Sequence, residues 1–213
     1  MPAPLIKICG INSMAAMDAA IAARADFIGL VFFAKSPRHV EPAFAAQLAA
    51  YAAGRVGVVG LLVDPEPDFL ASVIATVGLD HIQLHGRENP AQVAAIAAHH
   101  GISVWKAIGV KSRDDVAAAD AFAGAATRVL FDAKPPAGAD LPGGNGLRID
   151  WSVLKGVRPA LPWMLAGGLD PDNVAEAIAV TGAPAVDVSS GVESAPGVKD
   201  AGRIAAFCAA ARG

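Results

Sequence analysis

Short apolar runs recur at nearly even intervals along the chain, each followed by an alanine-rich segment whose apolar positions fall at helical spacing. The runs are Leu5–Cys9, Phe27–Phe32, Gly57–Val63, His81–Leu84, Ser103–Ile108, Arg128–Asp132, Trp163–Ala166 and Ala185–Val188. Their starts lie 22, 30, 24, 22, 25, 35 and 22 residues apart, the length that a strand, a helix and two loops consume. Several runs are apolar at consecutive positions rather than alternating, as strands are when helices cover both faces of a parallel sheet. Helix starts follow where they are needed. Asn12-Ser13 precedes Met14–Ala23, Asn89-Pro90 precedes Ala91–Ala98, and Asp170-Pro171 precedes Asp172–Val180. The last two place proline at the first helical position, where its missing N–H costs nothing.

Eight such units in 213 residues predict an α/β fold, a (β/α)8 TIM barrel spanning 1–213 as a single domain. The alternative is an open doubly wound sheet. Eight strands are many for that fold at this length, and no G-x-G-x-x-G follows the first run. No composition break or Pro/Ser-rich linker divides the chain. The two wide spacings insert Ala34–His39 after the second strand and Ala133–Arg148 after the sixth. Both insertions fall on the C-terminal face, where barrels build active sites, and the second is rich in Pro and Gly.

Composition narrows the function classes. Hydrophobic residues make up 54%, enough for a substantial core, and the formal net charge is −3. There is no basic excess to hold a phosphate backbone, so nucleic acid is not an expected partner. The longest apolar runs are strand-length and far short of a membrane span. The first residues lack the charged region and long apolar stretch of a secretory signal. Two cysteines, Cys9 and Cys208, give neither a disulfide framework nor a metal spacing, which fits a reducing cytoplasm. Monomer and homodimer both remain open.

The barrel gives individual side chains a place. Cys9 and Asp132 end strands 1 and 6 at the same mouth, so a thiolate that takes a proton can face a carboxylic acid that gives one. Lys7 shares the strand parity of Cys9 and points inward one layer below, where its charge favours the thiolate. The bland alternative makes Cys9 a small buried hydrophobe and Lys7 a layer-filling ion-pair partner. Cys208 is expected to pack in the core. The turns at Gly167-Gly168 and Ser189-Ser190 follow strands 7 and 8, where many barrels bind phosphate through backbone N–H groups. Arg38 can fork onto a carboxylate or lie on the surface. Gln83 and His85 share one parity on strand 4 and face the mouth as substrate-wall residues. Asp187, inward on strand 8, either orients a substrate hydroxyl or supports a neighbour.

Taken in order, these motifs form a set. They are Lys7-Ile8-Cys9-Gly10, Ser36-Pro37-Arg38, Gln83-Leu84-His85-Gly86, Leu130-Phe131-Asp132, Gly143-Gly144-Asn145-Gly146, Asp150-Trp151, Ala166-Gly167-Gly168-Leu169 and Asp187-Val188-Ser189-Ser190-Gly191-Val192-Glu193. Together they resemble phosphoribosylanthranilate isomerase, a family of tryptophan biosynthesis, from Lys7 to about Phe207. The resemblance implies an Amadori rearrangement of a small-molecule phosphosugar-anthranilate substrate, with no metal or organic cofactor. It makes Cys9 the general base, Asp132 the general acid and Arg38 the holder of the anthranilate carboxylate. It also gives the phosphate to the Gly167-Gly168 and Ser189-Ser190 turns, and makes the loop after strand 6 a mobile active-site loop. Asn145 and Leu147-Arg148-Ile149 depart from the usual family pattern. Two other readings compete: a phosphosugar lyase or synthase that uses Lys7 or Lys106, and a barrel that binds a phosphorylated ligand without catalysis.

Overall fold

The computed structural model describes residues 3–134, 143 and 146–213. Eight parallel strands close into a barrel in chain order: β1 (Leu5–Cys9), β2 (Phe27–Phe32), β3 (Gly57–Leu62), β4 (His81–Leu84), β5 (Ser103–Val110), β6 (Arg128–Ala133), β7 (Trp163–Leu165) and β8 (Ala185–Val188). Closure runs through β8 and β1, with Leu5 opposite Ala185 and Ile8 opposite Val188. The open-sheet alternative is thereby excluded. Each strand is buried along nearly its whole length, as the unbroken apolar runs require.

Helices α1 (Met14–Ala22), α2 (Pro42–Ala52), α3 (Pro67–Val77), α4 (Pro90–His100), α5 (Arg113–Ala117), α6 (Val174–Thr181) and α7 (Ala201–Arg212) cover the barrel. Ser13 caps α1 by accepting from Ala16 N at 3.2 Å. Asn89 and Gln92 form a reciprocal capping box on α4, with Pro90 at its first turn. A cap of this kind is worth about 1 kcal/mol. The expectation for Pro171 does not hold. Helix α6 begins only at Val174, because Asp170 accepts from Asp172 N and spends its carboxylate on a turn. Asn173 then braces that turn, accepting from Asp170 N and donating to Gly168 O, both at 3.0 Å. Between β6 and β7 the described residues contain a single short 3-10 turn, Trp151–Leu154, rather than an α-helix. Pro135, Pro136, Gly144 and Asn145, on which the mobile-loop expectation partly rests, lie outside the described residues.

The larger core fills the space between barrel and helices. A smaller one occupies the barrel interior, with Val59, Trp105, Leu130 and Met164 among its members. At the N-terminal end, Phe27, His81 and Trp105 pack ring on ring with centroids 4.8–5.7 Å apart, and the Arg128 guanidinium lies 5.0 Å from the Trp105 ring. The opposite end is closed less tightly, by Cys9, Val31 and Leu61. After β8 the chain adds a feature that the spacing of apolar runs did not indicate, an antiparallel hairpin of β9 (Glu193–Ala195) and β10 (Val198–Lys199). Asn12 Nδ2 ties it to the first βα loop by donating to Gly197 O at 3.0 Å. None of the described helices is long and apolar enough to cross a membrane.

Candidate active site

A cavity of about 780 Å³, counting the part open to solvent, lies at the C-terminal mouth of the barrel. Cys9, Asp132, Arg38, Gln83, His85, Asp187, Gly167, Gly168, Ser189 and Ser190 all line it, so every site residue expected from the sequence meets in one place. The order of strands explains how. Strand β1 stands between β8 and β2, which sets Cys9 between the Ser189-Ser190 turn and the loop carrying Arg38. Asp132 closes the opposite arc on β6, beside β7 and its Gly167-Gly168 turn.

Cys9 lies opposite Gly29 in register, and the missing side chain there is what makes room for the thiol. A Cβ on Gly29 would stand 2.8 Å from Cys9 Sγ and 3.3 Å from Lys7 Nζ. One layer below, the fully buried Lys7 Nζ donates to Asp187 Oδ1 at 2.8 Å. Burial alone would lower the ammonium's pKa, but Asp187 and Cys9 together hold it above its ordinary value. For Cys9 the balance falls the other way. Burial pushes the thiol above its ordinary value, and Asp187 adds to this, while Lys7 and Lys199 pull it down. Lys7 thus acts in the expected direction, but its charge is shared with Asp187 and does not outweigh desolvation. Burial thus favours the neutral thiol over the thiolate.

Across the mouth, Asp132 Oδ1 accepts from Ala133 N at 2.8 Å, which fixes the carboxyl plane. Its Oδ2 lies 3.3 Å from His85 Nε2, and His85 Nδ1 lies 3.3 Å from Gln83 Nε2. His85 is therefore a wall residue in ion-pair contact with the candidate acid. Gln83 is fully buried and its Oε1 has no partner among the described residues. A half-turn of that amide presents Gln83 Oε1 to His85 Nδ1–H and leaves His85 Nε2 free to accept from a protonated Asp132. The chain Gln83–His85–Asp132 can thus serve both protonation states of the acid.

Arg38 does fork onto a carboxylate, but onto one of the chain's own. Its Nε and Nη2 donate to Glu193 Oε1 and Oε2 at 2.8 and 2.9 Å. The surface alternative is excluded, since its side chain is nearly shut off from solvent. Burial would raise the Glu193 carboxyl, yet Arg38 and Lys199 together hold it below its ordinary value. Two of the five guanidinium N–H groups are taken by Glu193, and the other three have no partner among the described residues. On the phosphate side, Gly167 and Gly168 both adopt positive φ, +83° and +66°. A Cβ on Gly168 would stand 2.8 Å from Leu147 O, so only glycine fits where the next loop crosses this turn.

The two lysines of the lyase reading are otherwise engaged. Lys7 is paired as described. Lys106 Nζ lies 3.1 Å from Glu88 Oε2 and donates to the carbonyls of Leu84, Gly86 and Ala107. Neither lines the cavity.

The family model described as N-(5'phosphoribosyl)anthranilate (PRA) isomerase matches residues 6–210. The chain belongs to this family. It is an isomerase of tryptophan biosynthesis. A relative named N-(5'-phosphoribosyl)anthranilate isomerase, from Paramagnetospirillum magneticum, is 55% identical over 208 residues, covering 98% of this chain and 97% of the relative. Among solved structures, phosphoribosyl anthranilate isomerase from Thermotoga maritima superposes with a TM-score of 0.87 at 35% identity, covering 98% of each chain. A phosphoribosyl anthranilate isomerase in complex with reduced 1-(o-carboxyphenylamino)-1-deoxyribulose 5-phosphate gives a TM-score of 0.81 at 32% identity, also covering 98% of each chain.

Within this isomerase, two residues of the mouth escape a reading from the sequence. Glu193 appears there only as the end of a motif, and Lys199 not at all. The available signal is their spacing: two charged residues six apart, bracketing Pro196-Gly197, after the eighth strand read as a tight hairpin that brings their side chains together. Cys208, by contrast, packs in the core of α7 as expected, its thiol pushed up to about 11, chiefly by burial.

Proposed function

We propose that the chain converts N-(5′-phosphoribosyl)anthranilate to the aminodeoxyribulose phosphate by an Amadori rearrangement, with Asp132 as general acid and Cys9 as general base. The observation that carries this reading is the convergence of Cys9, Asp132, Arg38 and the two anion-type turns on one cavity. Asp132 protonates the ribose ring oxygen as the C1′–O bond breaks, giving a protonated Schiff base and a free hydroxyl. Cys9 then removes the C2′ proton, and the electron pair moves into the new C1′–C2′ double bond of an enolamine. Tautomerisation, with a proton gained at C1′ and one lost from the C2′ hydroxyl, gives the ketone.

The raised pKa of the resting thiol fits this order of steps. The iminium formed on ring opening both acidifies the C2′ proton and brings a positive charge toward Cys9, so the base is needed only after the acid has acted. Each acid–base contribution is worth roughly 10²–10⁴-fold in rate. Arg38, through N–H groups that Glu193 does not use, takes the anthranilate carboxylate. Gly167, Gly168, Ser189 and Ser190 take the phosphate, and Gln83, His85 and Asp187 line the sugar. Fixing the substrate at two charged groups supplies orientation.

Cys9→Ala and Asp132→Asn are the tests. Each should keep substrate affinity and lose nearly all turnover of phosphoribosylanthranilate, and neither should rescue a tryptophan auxotroph lacking the isomerase. Near-wild-type kcat in either variant removes that residue from its role.

A further inference from the structure

Among the described residues, Lys7 is paired with Asp187 and Arg38 with Glu193, and Lys199 is a third cation that shares Glu193 with Arg38. Its side chain has no solvent exposure, so water does not screen it. Lys199 Nζ donates to Glu193 Oε1 at 2.8 Å, to Ser189 O at 2.9 Å and to Ser189 Oγ at 3.4 Å. Glu193 is saturated in turn, accepting Arg38 twice, Lys199 once and Gly197 N at 3.2 Å. Arg38 lies against the residue that follows the thiol: a Cβ on Gly10 would stand 3.0 Å from its Cδ. One lysine on the β9–β10 hairpin therefore touches the partner of the carboxylate fork and Ser189, which follows Val188 just as Cys9 follows Ile8, the residue opposite Val188 on β1.

We propose that Lys199 is a positioning residue for the isomerisation, a cation that favours the thiolate of Cys9 while fixing Ser189 and, through Glu193, the fork of Arg38. The proposal rests on reading Cys9 as the base. The charged groups that act on Cys9 are Lys7 on its own strand, Asp187 on β8, Lys199 on β10 and Arg38 after β2. Of the three cations, Lys7 and Arg38 are held above their ordinary values, whereas burial brings Lys199 below its own. Its charge is thus the first of the cluster to go as pH rises, and the thiolate loses that support at alkaline pH.

The test follows carboxamidomethylation of Cys9 by iodoacetamide, read from the mass of the peptide that bears it, between pH 7 and 11 in the full-length chain. In Lys199→Met the alkylation rate below the midpoint should fall about tenfold, the equivalent of one pH unit in the midpoint. The acid limb of the kcat/KM profile should move to higher pH with it. Lys199→Arg, which keeps the charge, should restore most of the rate. Glu193→Gln, which removes the shared carboxylate, should move the rate the other way and keeps the test open should Lys199→Met fail to fold. An unchanged alkylation profile in folded Lys199→Met overturns the proposal, as does an equal loss in Lys199→Arg. Alkylation reads the ionisation of the thiol whether or not it is the base, whereas Cys9→Ala reads only its part in turnover. The two readings therefore fail separately.

Discussion

The buried pair of Lys7 and Asp187 offers a test in which stability and reactivity move independently. Lys7 is fully buried and Asp187 nearly so, and the 2.8 Å contact joins the first strand of the barrel to its eighth. Removing one partner of such a pair strands the other charge in the interior, at a cost of about 3–5 kcal/mol. For a chain of this size about 1 kcal/mol shifts Tm by roughly 2–4 °C, so Lys7→Met and Asp187→Asn should each lower Tm by roughly 6–20 °C. The double variant leaves no stranded charge and should be more stable than the two losses added together. On Cys9 the single variants act in opposite directions. Lys7→Met removes a cation and slows alkylation, while Asp187→Asn removes the carboxylate that raises the thiol and speeds it. Thermal melts of the four proteins, with Cys9 alkylation at fixed pH, read both effects. Losses of stability that simply add in the double variant would show that the pair is not coupled. Alkylation moving the same way in both single variants would show that charge does not govern the thiol.

Two other outcomes follow from groups at opposite ends of the fold. His85→Asn removes the ring bridging Gln83 and Asp132, and should cut kcat at least tenfold with KM little changed; wild-type kcat across the pH range would exclude His85 from supporting the acid. Cys208 has a folded-state value of about 11 against an ordinary 9.0, so it contributes stability that is full below pH about 9 and is lost as pH rises toward about 11. In Cys208→Ala, denaturant titrations at pH 8 and 10.5 should differ less than in the parent, and an unchanged difference would deny burial of that thiol.

The barrel is legible because its strands are buried on both faces. Consecutive apolar residues in Phe27–Phe32 and Arg128–Asp132 mark them without any need to know their partners. Helix starts are legible where the cap is local, as at Ser13 and Asn89. They mislead at Asp170, whose carboxylate serves a turn braced by Asn173 against Gly168, a contact that no window of sequence displays. The meeting of Cys9 and Asp132 follows from strand count and parity alone. What does not follow is the partner of Arg38. A guanidinium advertises a carboxylate, but whether that carboxylate comes from a ligand or from Glu193 depends on how the hairpin after β8 folds back across the mouth. The resting state of Cys9 is hidden for a similar reason: Lys7 is visible two residues away, while Asp187 and the desolvation that outweigh it are properties of the closed barrel.

The hairpin and the closing strand give the order of synthesis a chemical meaning. Cys9 leaves the ribosome well before Asp187, Ser189, Glu193 and Lys199, which follow it by 178 to 190 residues. Until β8 pairs with β1, Lys7 has no counterion and the thiol no electrostatic frame. The nascent chain therefore carries its reactive atom in an uncommitted state and acquires it as a reagent only when β8 closes the barrel on β1. A chain shortened before the hairpin would keep the residue that does the chemistry and lose the surroundings that make it chemical.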